Sequence, residues 1–188
     1  MAGSRSVDYS DPGTLSASDA ARAIRESGFE GCWVFALAIN DAGFVASDPN
    51  DSAARRIGDL LEIADGDPVM WVNGSMLEAG TLGHLQPAVM DWNDALLEAC
   101  EAYPGMKVYD WDREVNPEWF TDDGVHYTPI GYGHRSRLVS SALIEAFPGD
   151  QPLPGSPAAT GEEAAPTGET TSSEPADCLV GSSGGDAL

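Results

Sequence analysis

Three short apolar runs, set between segments of helical period, constrain this chain more than any other feature. Residues 32–37 (CWVFAL), 69–72 (VMWV) and 106–110 (MKVYD) are strand-sized and rich in β-branched and aromatic side chains. Between them the period changes. Residues 16–27 carry Ser and Asp near the start and Gly28 just past the end, which are signals that open and close a helix. Residues 51–64 place Ala54, Ile57, Leu60, Leu61 and Ala64 on one face, and residues 86–103 repeat Val89, Trp92, Leu96 and Ala99 at helical spacing. Residues 129–147 form a last helix. The order is α-β-α-β-α-β-loop-α. Strands that are apolar throughout need cover on both faces, so the pattern predicts an α/β domain with a parallel sheet between helices.

A composition break falls at Phe147-Pro148. Beyond it the chain is Gly, Ser, Thr, Pro, Ala and Glu with almost no large apolar residues until Cys178-Leu179-Val180. Such a segment cannot bury enough surface to offset its ordering entropy. Residues 1–148 are therefore expected to form the domain and residues 149–188 an acidic, disordered tail, with Cys178-Leu179-Val180 a short contact motif of no assigned role.

The formal net charge is −22, of which residues 149–188 contribute −7 and residues 1–148 the other −15. A chain this acidic repels a phosphate backbone and an anionic membrane surface, so neither nucleic acid nor such a membrane is an expected partner. No apolar run is long enough to span a bilayer, and residues 1–10 lack the basic and apolar regions of a secretory leader. Cys32, Cys100 and Cys178 lack metal-site spacing. A bridge between Cys32, which opens a strand, and Cys100, which closes a helix, is geometrically open, and buried free thiols fit equally well.

In an open α/β sheet ligands bind beyond the carboxyl ends of the strands. Polar residues collect at those places: Asn40-Asp41 after the first strand, Asn73-Gly74-Ser75 after the second, and the loop through Asp122, Asp123 and His126 after the third. Asp123 stands three residues before His126, close enough to accept from its ring, fix its tautomer and stabilise an imidazolium. Thr128 suits an N-cap and Pro129 the first helical position, so a helix would hold that loop. An amide at Asn40 could donate to an oxyanion. Taken singly, an acidic loop with a packing His and an Asn-Asp turn are ordinary structure. Of the five tryptophans, Trp71, Trp92, Trp111 and Trp119 are read as core rather than as a substrate pocket. His126 and His134 have no third ligand nearby, so no metal site is expected.

The pair in this order says more than either part. A strand ending in A-L-A-I-N-D, followed by D-G-V-H-Y-T-P-I-G-Y before a closing helix, resembles the SGNH hydrolases, also called the GDSL esterase/lipase family. The wider context, including V-Y-D-W and D-D-G-V-H-Y-T, is similar to actinobacterial members, and the resemblance covers roughly residues 1–147. It implies a flavodoxin-like three-layer α/β/α sandwich and a serine ester hydrolase needing no cofactor. The implied substrates are small-molecule or carbohydrate esters. His126 would be the general base, Asp123 its orienting partner and Asn40 an oxyanion donor, with Gly3 a second donor by position alone. Secretion or a cell-envelope location is implied in the same way. The family's Gly before the Asn is Ala38 here.

The nucleophile is the departure. The chain contains no G-D-S and no G-x-S-x-G; Ser4 and Ser6 lack the strand and turn that such a serine needs, and Ser75 follows a strand but sits where the family's neighbouring rim loop would be. Ser75 is read as a loop residue. The chain as given is thus expected to be inactive and to lack the family's first strands. The strand at residues 32–37 would then present an open apolar edge. The other reading is a non-catalytic SGNH-like module that binds carbohydrate or a protein, with that edge rebuilt.

Overall fold

The computed structural model of the protein describes residues 6–148 and 178–181. Four strands, β1 (Trp33–Phe35), β2 (Val69–Val72), β3 (Met106–Tyr109) and β4 (Leu179–Val180), form one parallel sheet in the order β1-β2-β3-β4. The helices are α1 (Ala17–Glu26), α2 (Ile39–Ser47), α3 (Ala53–Ala64), α4 (Gln86–Ala102), α5 (Trp111–Glu114) and α6 (Pro129–Ala146). The fold is α/β, as the alternation predicts, and is consistent with a flavodoxin-like sandwich. Helix starts fall at the expected caps. Ser16 Oγ accepts from Asp19 N–H at 3.1 Å, Ser52 Oγ from Arg55 N–H at 3.2 Å, and Thr128 Oγ1 from Gly131 N–H at 3.1 Å.

The pleat divides the core into two layers. Trp33, Phe35, Val69, Trp71, Met106 and Val108 face one way, packing with Ala21 of α1, Leu60 of α3 and Trp92 and Leu96 of α4. Met70, Val72 and Tyr109 face the other way, against Ala142, Leu138 and Val139 of α6. Every residue of β2 is buried. Helix α6 packs over β2, β3 and β4, and β1 is left at the sheet edge with Val34 42% exposed. Among the described residues no strand pairs with the outer edge of β1, so the expected open edge is present there.

Three expectations are corrected. Asn40 and Asp41 do not form a turn: α2 begins at Ile39, almost directly after β1, because Asp41 is drawn inward to a buried arginine rather than out to solvent. Residues 178–181 are not tail. Val108 N–H donates to Cys178 O at 2.8 Å and Asp110 N–H to Val180 O at 3.1 Å, which adds β4 to the sheet. The disulfide joins Cys100 to Cys178, Cα atoms 6.0 Å apart, and Cys32 stays free. Cys100 lies at the end of α4 beside Met106 of β3, whereas Cys32 opens β1, with β2 between β1 and β3. Burial pushes the Cys32 thiol up. The expected disorder of residues 149–177 and 182–188 lies outside the described residues.

The bridge closes a loop of 78 residues. In the chain-entropy account a loop of that length is worth about 4.5 kcal/mol. Chemical denaturation should therefore show a loss approaching that size in Cys178→Ser, or in the native chain with dithiothreitol. Unchanged stability on reduction would mean that β4 is not tethered in this way.

Candidate active site

The carboxyl ends of β1 and β2 and the loop before α6 enclose a cleft of about 400 Å³. Asn40, Ser75 and His126 all line it. A smaller depression, about 260 Å³, lies between α1 and α3, where Arg25 is already bonded to Ile63 O and paired with Asp67.

His126 is carried by a loop whose shape is locked from both ends. Phe120 and Tyr127 form an antiparallel bridge, Thr121 N–H donates to His126 O at 2.8 Å, and Thr128 N–H donates to Trp119 O at 2.8 Å. At the tip Gly124 adopts φ +72°, a conformation costly for any residue with a Cβ. It also sits against the loop after β2, where a Cβ on Gly80 would lie 2.4 Å from Asp123 O. Thr81 N–H donates to Asp123 O and Leu77 N–H to Gly124 O, so that loop fixes the height of the tip. Beneath it Trp111 Nε1–H donates to Tyr127 Oη at 2.7 Å.

Within this frame Asp123 Oδ2 is 2.7 Å from His126 Nδ1. Oδ1 accepts from Val125 N–H at 2.8 Å and His126 N–H at 2.9 Å, with Thr121 Oγ1 2.9 Å away. The Val125 amide, then the His126 ring and amide, hold the Asp123 carboxyl well below the usual carboxylate range. An ionised carboxylate only accepts, so Nδ1 carries the proton and Nε2 is left with the lone pair. The His126 side chain is 70% exposed, so that nitrogen is open to a reactant. Sequence and structure agree on this pair.

Asn40 stands in the first turn of α2, exposed at the rim. Its neighbour Asp41 is fully buried, accepting from Val7 N–H at 3.0 Å and from Arg56 Nη1 at 2.6 Å. Burial pushes this carboxyl up, against the pull of Val7 and Arg56. Arg56 in turn donates from Nε to Asp51 at 2.7 Å. Asp41 thus ties α2 to α3 and to the segment at Ser6–Val7, and so positions Asn40. In the sequence Asp41 reads only as half of an Asn-Asp turn. A signal existed, since Arg56 falls on the apolar stripe of α3 and an arginine there needs a buried partner.

The remaining predicted residues sort by contact. Asn73 is bonded to Asp110 Oδ1 and to Asp112 N–H, bracing the ends of β2 and β3. Gly74 is held at both backbone groups by the Asn93 amide, and a Cβ there would lie 2.6 Å from the Ala38 methyl. The methyl that Ala38 adds is therefore accommodated because residue 74 is glycine. Ser75 is buried on the cleft wall. Trp71 and Trp92 are core, Trp111 is buried yet reaches the cleft, and Trp119 stacks on His134 at 4.4 Å between centroids. Gly3 and Ser4 lie outside the described residues. Among the described residues no three His, Cys, Asp or Glu side chains group as a metal site requires, and no helix is long and apolar enough to cross a membrane. Comparison with family models, curated proteins and solved structures finds no match to this chain.

Two outcomes follow from these contacts. In a carboxyl NMR titration Asp123 should stay ionised as the pH falls through the ordinary Asp range. Its depressed folded value means that its stabilisation of the loop is complete above that range and lost only well below it. Asp41→Ala, which strands part of a buried guanidinium, should cost about 3 kcal/mol in equilibrium unfolding. A change within about 0.5 kcal/mol, the range typical of surface substitutions, would contradict the role given to Asp41.

Proposed function

We propose that the cleft is the acyl-transfer site of an SGNH-type ester hydrolase, acting on small or medium esters that include O-acyl groups on carbohydrates. The observation that carries this reading is the 2.7 Å Asp123–His126 pair, opening into the same cleft as Asn40.

In the proposed reaction a serine hydroxyl adds to the ester carbonyl while His126 Nε2 takes its proton. Asp123 stabilises the imidazolium, and the Asn40 amide donates to the oxyanion. The imidazolium then protonates the departing alcohol. Water, activated by the same nitrogen, cleaves the acyl-enzyme and releases the acid. In this reading His126 and Asn40 on the cleft are the base and one oxyanion donor, and Asp123, bonded to His126 Nδ1, is the orienting group. The family's serine block has no match in the sequence, so this chain is expected to lack full serine-hydrolase activity. A binding module with a rebuilt sheet edge gains no support, because β1 has no outer strand among the described residues.

The test is turnover of p-nitrophenyl acetate by the chain. No acyl-enzyme burst is expected, and turnover should exceed the buffer blank by no more than the roughly 10²–10⁴-fold that a positioned general base, here His126 acting directly on water, contributes. His126→Ala should return it to the blank, and Asn40→Ala should lower it by up to about 10²-fold. Turnover unaffected by His126→Ala would overturn the proposal.

A further inference from the structure

The cleft holds a cation that the reaction above does not use. Arg135, on the first turns of α6, lines it together with Tyr132. Its guanidinium carbon lies 5.6 Å from the Trp111 ring centroid and 5.9 Å from that of Tyr127, so two aromatic rings hold the fork. Arg22, Arg25, Arg55 and Arg56 each pair with a carboxylate. Arg135 pairs with none among the described residues, and its Nε–H is buried without an acceptor.

Packing alone does not account for this arrangement. An aliphatic side chain would fill the space beside Trp111 without burying an unmet donor, which is costly. The surroundings are also selective. Among the described residues no Asp or Glu lines the cleft; the nearest, Asp110 and Asp123, are taken up by Asn73 and His126 of its wall. In a protein with a net charge of −22, the Lys or Arg side chain that lines this recess among the described residues is Arg135. A guanidinium on a cleft wall attracts the opposite sign of charge. Five N–H donors in a rigid plane match the two oxygens of a carboxylate or phosphate.

We propose that the cleft takes an ester bearing an anionic group, carboxylate or phosphate, which Arg135 binds while the ester carbonyl faces His126. The apolar wall formed by Leu37, Ile39 and Leu82 would take the uncharged part. This rests on the acyl-transfer reading for the orientation of the ester. The anion site itself stands on Arg135.

The test is a binding titration of the whole chain by tryptophan fluorescence, Trp111 and Trp119 being the nearby reporters. Four probes are compared: monomethyl succinate, methyl phosphate, dimethyl succinate and methyl acetate. Saturable binding of one or both anions is expected, at least about tenfold tighter than either neutral ester, and the better anion identifies the head group. Arg135→Gln should remove about tenfold or more of that preference, whereas Arg135→Lys should keep part of it. Equal binding of charged and neutral probes to the native chain would overturn the proposal, as would absence of binding. That comparison needs no variant to fold. An unchanged preference in an Arg135→Gln protein with a native melt would also overturn it. Because binding is read without turnover, a lost anion preference with His126-dependent hydrolysis intact refutes this inference alone. Anion binding with no His126-dependent hydrolysis refutes the acyl-transfer reading instead.

Discussion

Strand β2 is buried on both faces, and the rest of the architecture follows from that requirement. Val69 and Trp71 need one helical layer, Met70 and Val72 another. Parallel neighbours can be joined only by long crossovers, which supply those layers. Strands running in one direction bring their carboxyl ends to one edge, and the polar segments after β1 and β2 meet there with the loop that follows β3. The cleft is thus a product of sheet topology before any of its side chains is considered.

Around that edge the chain solves two opposite electrostatic problems. Asp123 is kept charged in the open by amides of its own loop, so it can orient a histidine. Asp41 is charged into the core and must be met there by Arg56 and the Val7 amide. The first arrangement is local and costs little desolvation. The second joins three segments far apart in sequence, and a broken partner would be expensive. Both serve the rim, since one sets the His126 ring and the other sets the helix that begins at Asn40. Arg135 lines the cleft itself and is held by aromatic faces rather than by a carboxylate.

Much of the fold was legible in the sequence, and the misses have physical causes. The caps Ser16, Ser52 and Thr128 and the apolar stripes of α3 and α4 are local signals, and those elements lie where predicted to within a few residues. Helix α2 was hidden because Asn-Asp serves equally in turns and in the first turn of a helix; the buried partner of Asp41 decides between them. Strand β4 was hidden because two residues cannot declare a strand without a neighbour. At the site, the D-x-x-H spacing already implies the Asp123–His126 contact. Nothing local implies that Gly80 must approach Asp123 or that Gly74 must make room for Ala38.

The sequence by itself determined the alternation of elements and the presence of an Asp–His pair ahead of a capped helix. These depend on periodicity, capping and spacing over a few residues, where the chain's own covalent geometry sets what can touch. The tertiary structure alone decided that Cys100 pairs with Cys178, that Asp41 meets Arg56, and that Arg135 enters the cleft that His126 and Asn40 line. Those contacts link residues 15 to 78 positions apart, or residues on different elements, and they exist only once the two layers have closed on the sheet. Loop closure and desolvation choose among partners that sequence distance leaves open.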